Sequence, residues 1–152
     1  MKHLTLAIAL TLTGLAGLTG CRTIVGLHHP EPIAVFNRAL SADQIVAAIK
    51  DGASAQGWEV TEEGPGYVLV TNLPDATSRH NAGAGRSART RYATVRVSYT
   101  LDAVDFAYIN SEHLRYRYIT EGKQTVHYRY NAVLNALVQA VEYQITTRVE
   151  NR

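Results

Sequence analysis

Hydrophobic residues follow several different patterns along this chain, and each pattern predicts a different kind of element. The first is an apolar run from Leu4 to Leu18, preceded by Lys2 and broken only by threonines and glycines. At about fifteen residues it is too short to cross a bilayer comfortably. A basic start, an apolar middle and small residues at the exit are the layout of a secretory signal peptide. Thr13-Gly14 and Gly17 would make a poor interior for a core helix.

From Arg22 to Ala39 no periodicity holds, and the segment reads as a tether. Its "HHPEP" sets two prolines two apart, which favours extended, polyproline-like chain. Such a segment reaches at most ~3.5 Å per residue, on the order of 60 Å in all. Within it only "IAVF", residues 33–36, is apolar enough to pair as an edge strand, which would end the free tether near Pro32.

Helical periodicity starts at Ser41. Ser41 and Gln44 form a capping box, with Leu40 and Ile45 placed for the hydrophobic staple across it. Ile45, Val46, Ala48, Ile49 and Ala53 make one apolar stripe. Gly57 stands where a helix commonly ends in a left-handed residue, and Trp58 is placed to fold back on Ala53. The spacing predicts a helix over residues 42–56.

Alternation follows. "WEVTE" puts Trp58 and Val60 on one face, "EGPG" at 63–66 is a turn, and Tyr67 to Leu73 is strand-like. "RYATVRVSY" sets Ala93, Val95, Val97 and Tyr99 against Tyr92, Thr94, Arg96 and Ser98, a strand with one wet side. A turn at "LDAV" leads into "DFAYINS", a fourth strand running to about Ser111. Short connections predict antiparallel order, apart from the long one between the second and third strands.

Helical spacing returns from about Tyr128 to Arg148 through Tyr130, Val133, Leu134, Leu137, Val141 and Ile145. Just before it, "RYITEGKQTVHYRY" also reads as a hairpin around Glu121-Gly122-Lys123, and spacing leaves the helix start open. The patterns together predict an α+β two-layer sandwich: helix, four-stranded antiparallel sheet, helix, both helices on one face. Residues 1–20 form the leader, 21–38 a lipidated N-terminus and tether, and 39–152 the folded domain.

The chain contains a single cysteine, Cys21, at the end of the leader. Leu18-Thr19-Gly20-Cys21 resembles the bacterial lipobox, in which the sulfur receives a diacylglyceryl group and the chain is cut just before the cysteine. That resemblance implies a lipoprotein whose Cys21 carries palmitate-type chains and is lost as nucleophile, metal ligand or disulfide partner. The domain would then rely on its core, even in an oxidising compartment. Several acyl chains, at about 0.8 kcal/mol per buried methylene, make a lasting anchor. Arg22 follows the cysteine in place of the aspartate that resembles an inner-membrane retention signal. The expected location is the outer membrane, facing the periplasm.

Loss of Lys2 with the leader takes the 15 basic side chains to 14, against 13 acidic, so net charge argues for no partner. The remaining chain of about 130 residues is one domain's worth and can bury a core. No second apolar run of spanning length follows.

Charge is distributed unevenly nonetheless. Between Ala76 and Leu101 there is no acid, while Arg79, Arg86, Arg89, Arg91 and Arg96 all fall inside. A connection as long as 74–91 is uncommon unless functional or unstructured. Arg79, Arg86, Arg89 and Arg91 are candidate contacts for an anion, such as lipopolysaccharide phosphates or peptidoglycan carboxylates. A solvated hairpin insertion has the same composition. "GAGR" lacks the third glycine and the strand-to-helix setting of a phosphate loop.

"RYRY" at 115–118 and "YRY" at 128–130 interleave arginine with aromatic rings, a pattern that elsewhere stacks on nucleic acid. Secretion removes that partner. Tyr116 and Tyr118 stay candidates for contact with cell-wall sugar rings; tyrosines half-buried on a sheet beside snorkelling arginines produce the same pattern.

No G-x-S-x-G elbow, H-E-x-x-H pair or free cysteine points to catalysis. His3 leaves with the leader, His28 and His29 sit on the tether, and His80 lies in the arginine loop. His113 and His127 belong to the folded part; a metal site from two such lone histidines is possible, but surface or helix-start histidines are far commoner because they need no partners. No cofactor is implied.

Leader and lipobox, a Pro-rich tether, "LSADQIVAAI…GW", "ATVRVSY", "INSEHLRY" and "VHYRYNAVLNAL" in this order resemble a widespread group of small proteobacterial lipoproteins. The shared features include a Tyr-Asn pair opening the last helix, here Tyr130-Asn131, and a Ser-x-x-Leu after the last long strand, here Ser111 to Leu114. Val133 stands where a tryptophan is usual, and the long arginine loop is a further departure. The resemblance implies location and fold and supplies no catalytic residue. The expected function is non-catalytic, a tethered binding or assembly module of the envelope. Its partners would be the membrane, through the lipid, and peptidoglycan, lipopolysaccharide or another envelope protein. The rival classes are a periplasmic cell-wall hydrolase, marked by a cleft with paired carboxylates, and an inhibitor or immunity lipoprotein, marked by a flat apolar patch.

Overall fold

The computed structural model describes residues 24–36, 39–72, 92–112, 114, 117–119 (backbone only) and 123–151. In chain order its elements are β1 (Ile24–Gly26), β2 (Ile33–Ala34), α1 (Ala42–Ala55), β3 (Trp58–Gly64), β4 (Tyr67–Asn72), β5 (Tyr92–Tyr99), β6 (Ala103–Glu112), β7 (Arg117–Ile119), β8 (Lys123–His127) and α2 (Tyr128–Glu150). The α+β class stands. The large sheet has five strands rather than four, ordered β2-β6-β5-β4-β3, and a second sheet, β1-β8-β7, stands beside it.

Local chemistry explains most boundaries. Ser41 and Gln44 close the capping box reciprocally at the start of α1. Gly57 ends that helix with φ +70, a left-handed conformation that glycine adopts without a β-carbon clash. Pro65-Gly66 turns β3 into β4, with Gly66 at φ +76, the glycine position of a type II turn. Thr100 builds the β5–β6 turn: its Oγ1 accepts from the amides of Asp102 and Ala103 at 3.2 and 3.1 Å.

Every pairing in the large sheet is antiparallel. Ala93, Val95 and Val97 are buried, as their alternation predicts, with Thr94, Arg96 and Ser98 on the opposite face. Two bulges interrupt the register. One, between Val60 and Glu62, sets Glu63 opposite Val68 and so on the helix-covered face, where it forms an ion pair with Lys50 of α1. The other leaves Ile109 without a partner between the Tyr108–Val95 and Asn110–Thr94 pairs, and Ile109 is exposed. Trp58 is buried, whereas Val60, two positions on along the same face of edge strand β3, is 41% exposed.

Ile45, Ala48, Ile49 and Ala53 of α1 pack with Val68, Val70, Val95 and Val97 in one core, joined by Leu134, Leu137, Val141 and Ile145 of α2. Helix placement differs in detail from the simple sandwich. Helix α1 lies on β3, β4 and β5, while α2 packs chiefly along α1 and reaches β8. The helices approach closely at Gly52, where a β-carbon would lie 2.7 Å from the Val141 amide nitrogen. Arg148 pairs with Asp51 across the same interface.

One open reading resolves here and one expectation changes. The hairpin reading holds through β7 and β8, which pair antiparallel, and α2 starts directly after β8 at Tyr128, where the helical spacing sets it. The stretch read as a tether is paired through β1 on β8, while β2 on β6 is the edge strand that "IAVF" predicts. Ile33 and Val35 are also buried in the core. The folded unit therefore reaches back to Ile24 and does not begin at residue 39.

Candidate functional site

The segment following Cys21 is held by the opening of α2. His127 caps that helix, its Nδ1 accepting from the Arg129 amide at 3.3 Å. Tyr130 turns into the core, and Asn131, the next residue, grips the chain leaving β1 from both sides. Its Nδ2 donates to the Gly26 carbonyl at 2.8 Å, and its Oδ1 accepts from the His28 amide at 3.1 Å. Leu27 adds a backbone bond to Gln124 at 2.9 Å. The Tyr-Asn pair is thus a clamp: the tyrosine anchors the helix start, and the asparagine ties the N-terminal strand to it.

Tyr130 is fully buried, its ring edge-on to Tyr108 with centroids 5.4 Å apart. The Tyr108 hydroxyl shares a 3.0 Å hydrogen bond with Ser111, but that of Tyr130 has no partner among the described residues. Burial, with a smaller contribution from Tyr108, pushes Tyr130 far above the ordinary tyrosine range. The unfolded chain ionises this tyrosine near pH 10 while the folded chain keeps it protonated, so stability is present below pH 10 and falls as pH rises. Between pH 7 and 11 the wild type should lose about 1.4 kcal/mol more than Tyr130→Phe. At pH 7 the variant should be as stable or slightly more so, because it no longer buries an unpartnered hydroxyl. Urea melts at both pH values measure the two effects.

A cleft of about 710 Å³ opens along the outer edge of β6 from Asp105 to Ser111, closed on its other side by His29, Pro30 and Gln124. It exists because β2 pairs only with Ala103 and Val104. Upstream of β2, Pro30 and Pro32 lack the amide hydrogens that would continue the ladder. Asp105 is the one carboxylate among the cleft's lining residues. Among the described residues, no three His, Cys, Asp or Glu side chains group as a metal site, and no helix is long and apolar enough to cross a membrane.

Comparisons with protein-family models, with curated proteins and with solved structures find no match. The chain's own residues therefore carry the functional reading.

The face of the large sheet away from the helices is polar. Arg96 lies 4.2 Å over the Tyr67 ring, and the Tyr67 hydroxyl donates to Glu62. That hydrogen bond, with desolvation and the Glu62 charge, raises the tyrosine's pKa against the opposing pull of Arg96. Thr71 and Thr94 share a 2.9 Å hydrogen bond across β4 and β5. At the end of these strands, Tyr92 is raised chiefly by its hydrogen bond to Glu112.

Of the candidate residues read from the sequence, Cys21, Arg79, Arg86, Arg89, Arg91 and Tyr116 lie outside the described residues, and of Tyr118 only the backbone is described, opposite Gln124. Arg96, the remaining arginine of the acid-free run, belongs to the sheet. Asn72 and Ala93 are direct partners, so β4 and β5, which flank the arginine run in sequence, are neighbouring strands, with Tyr92 opposite Glu112 where β5 begins. Asn131 had no signal of its own beyond its place in the Tyr-Asn pair.

Proposed function

We propose that this protein is a lipid-anchored, non-catalytic binding module of the bacterial envelope, held in the outer membrane by Cys21 and facing the periplasm. The observation that carries this reading is the lipobox-like Leu18-Thr19-Gly20-Cys21 after a leader-like run. The pairing of β1 with β8 and its fixation by Asn131 support it, because a domain secured this way suits a covalent anchor just upstream. Changing Cys21→Ala removes both the acyl acceptor and the residue that defines the cut. The variant should accumulate as an uncleaved precursor that takes up no palmitate analogue in metabolic labelling. Equal labelling of wild type and variant would sink the lipoprotein reading.

The binding surface in this proposal is the arginine run that joins β4 to β5 in sequence. The field of Arg79, Arg86, Arg89 and Arg91 acts within about a Debye length, roughly 8 Å at physiological salt, so binding through it is salt-sensitive. Replacing Arg79, Arg86 and Arg89 with serine should weaken co-sedimentation with lipopolysaccharide or purified peptidoglycan at low salt and leave the melting temperature unchanged. A wild-type protein that stays in the supernatant with both materials at every salt concentration makes the run a passive insertion.

A further inference from the structure

The anchor and the fold together restrict which part of the domain meets the bilayer. Ile24 lies three positions beyond Cys21, a span of at most about 10 Å even when fully extended. Ile24 is paired directly with His127, the cap of α2. The 60 Å reach that the sequence suggests is therefore absent, and the acylated residue must lie close to the first turn of α2. That turn carries Tyr128, 45% exposed with its ring against His127 at 4.7 Å, and the exposed Arg129, whose Nε donates to the Tyr128 hydroxyl at 3.4 Å.

We propose that Tyr128 and Arg129 form a membrane-contact patch that seats this end of the domain on the phospholipid headgroups. The inference rests on acylation of Cys21. The chemistry fits an interface: a tyrosine ring with an apolar body and a polar tip settles at headgroup depth. An arginine guanidinium donates two parallel hydrogen bonds to a phosphate. The first turn of α2 holds no acid, whereas Glu142 and Glu150 lie in its far half, where the basic Arg148 is already paired with Asp51. An anionic surface therefore attracts the near end and repels the far one. Tyr143, 68% exposed, lies about 22 Å along the helix from Tyr128 and stays in water.

Acylated full-length protein with Tyr128→Cys or Tyr143→Cys, nitroxide-labelled at the new thiol, is reconstituted in phosphatidylethanolamine–phosphatidylglycerol vesicles. Both positions are exposed, so neither label disturbs the core. Power saturation should show the label at 128 relaxed more by lipid-dissolved oxygen than by a water-soluble nickel chelate, with the order reversed at 143. Adding Arg129→Glu should shift the label at 128 toward water. Mass spectrometry of the same samples reports Cys21. An unacylated Cys21 removes the anchor reading and this inference with it. Acylated protein whose labels are equally wet, or whose 143 label is the lipid-exposed one, overturns the orientation alone.

Discussion

Replacing Gly52 with alanine should destabilise the domain by about 1–3 kcal/mol, although a new methyl group inside a helix ordinarily helps. In an exposed helix interior, glycine is worse than alanine by about 1 kcal/mol, because its backbone loses more freedom on folding. At Gly52 the added carbon would meet the Val141 amide nitrogen at 2.7 Å and its Cα at 2.8 Å. Both are backbone atoms, so no rotamer change relieves the contact and the two helices must part. Parting them loosens Ile49, Ala53, Leu137 and Val141 together, all fully buried. The Gly52→Ala variant should therefore melt several degrees lower than wild type, and Gly52→Val lower still. Exposed Ser54→Ala, on the same helix, should match wild type or exceed it slightly. A Gly52→Ala protein as stable as wild type would mean that the helices do not touch there.

Leu137→Ala should cost about 2–5 kcal/mol, since it leaves a cavity where α2 meets the rest of the core. Leu137 is fully buried, whereas Gln139, two positions on, faces water. Gln139→Ala should change stability little. Denaturant melts must be made on chain that retains Ile24 onward, because Ile33 and Val35 belong to the same core and β1 pairs with β8. Equal melts for the two variants would place the wrong face of α2 inward.

How much of this fold the sequence discloses depends on how local the cause is. Helix α1 is readable because its signals lie within its own residues: the Ser41–Gln44 box, the stripe from Ile45 to Ala53 and the terminal Gly57. Strand β5 is readable because one face is buried and the other wet. Strand β1 is not. Three residues carry no periodicity, and what holds them is pairing with β8 together with Asn131, about a hundred positions away. The hairpin β7–β8 is ambiguous because aromatic and basic residues suit either a strand or a helix start, and pairing with β1 decides it. Gly52 shows the same dependence: a glycine inside a strong helix signals a close neighbour, and only the packing names Val141. The candidate site divides likewise. Cys21 is legible from four residues, whereas the Asn131 clamp and the β6 cleft arise from pairings between distant segments.

The proposal as a whole stands on the chemical state of one residue. Intact-mass and N-terminal peptide analysis of the protein isolated from membranes measures that state directly. The account predicts a mature chain that begins at Cys21, lacks residues 1–20 and carries a diacylglyceryl group on the sulfur. A chain that still begins at Met1 with a free Cys21 thiol would contradict it.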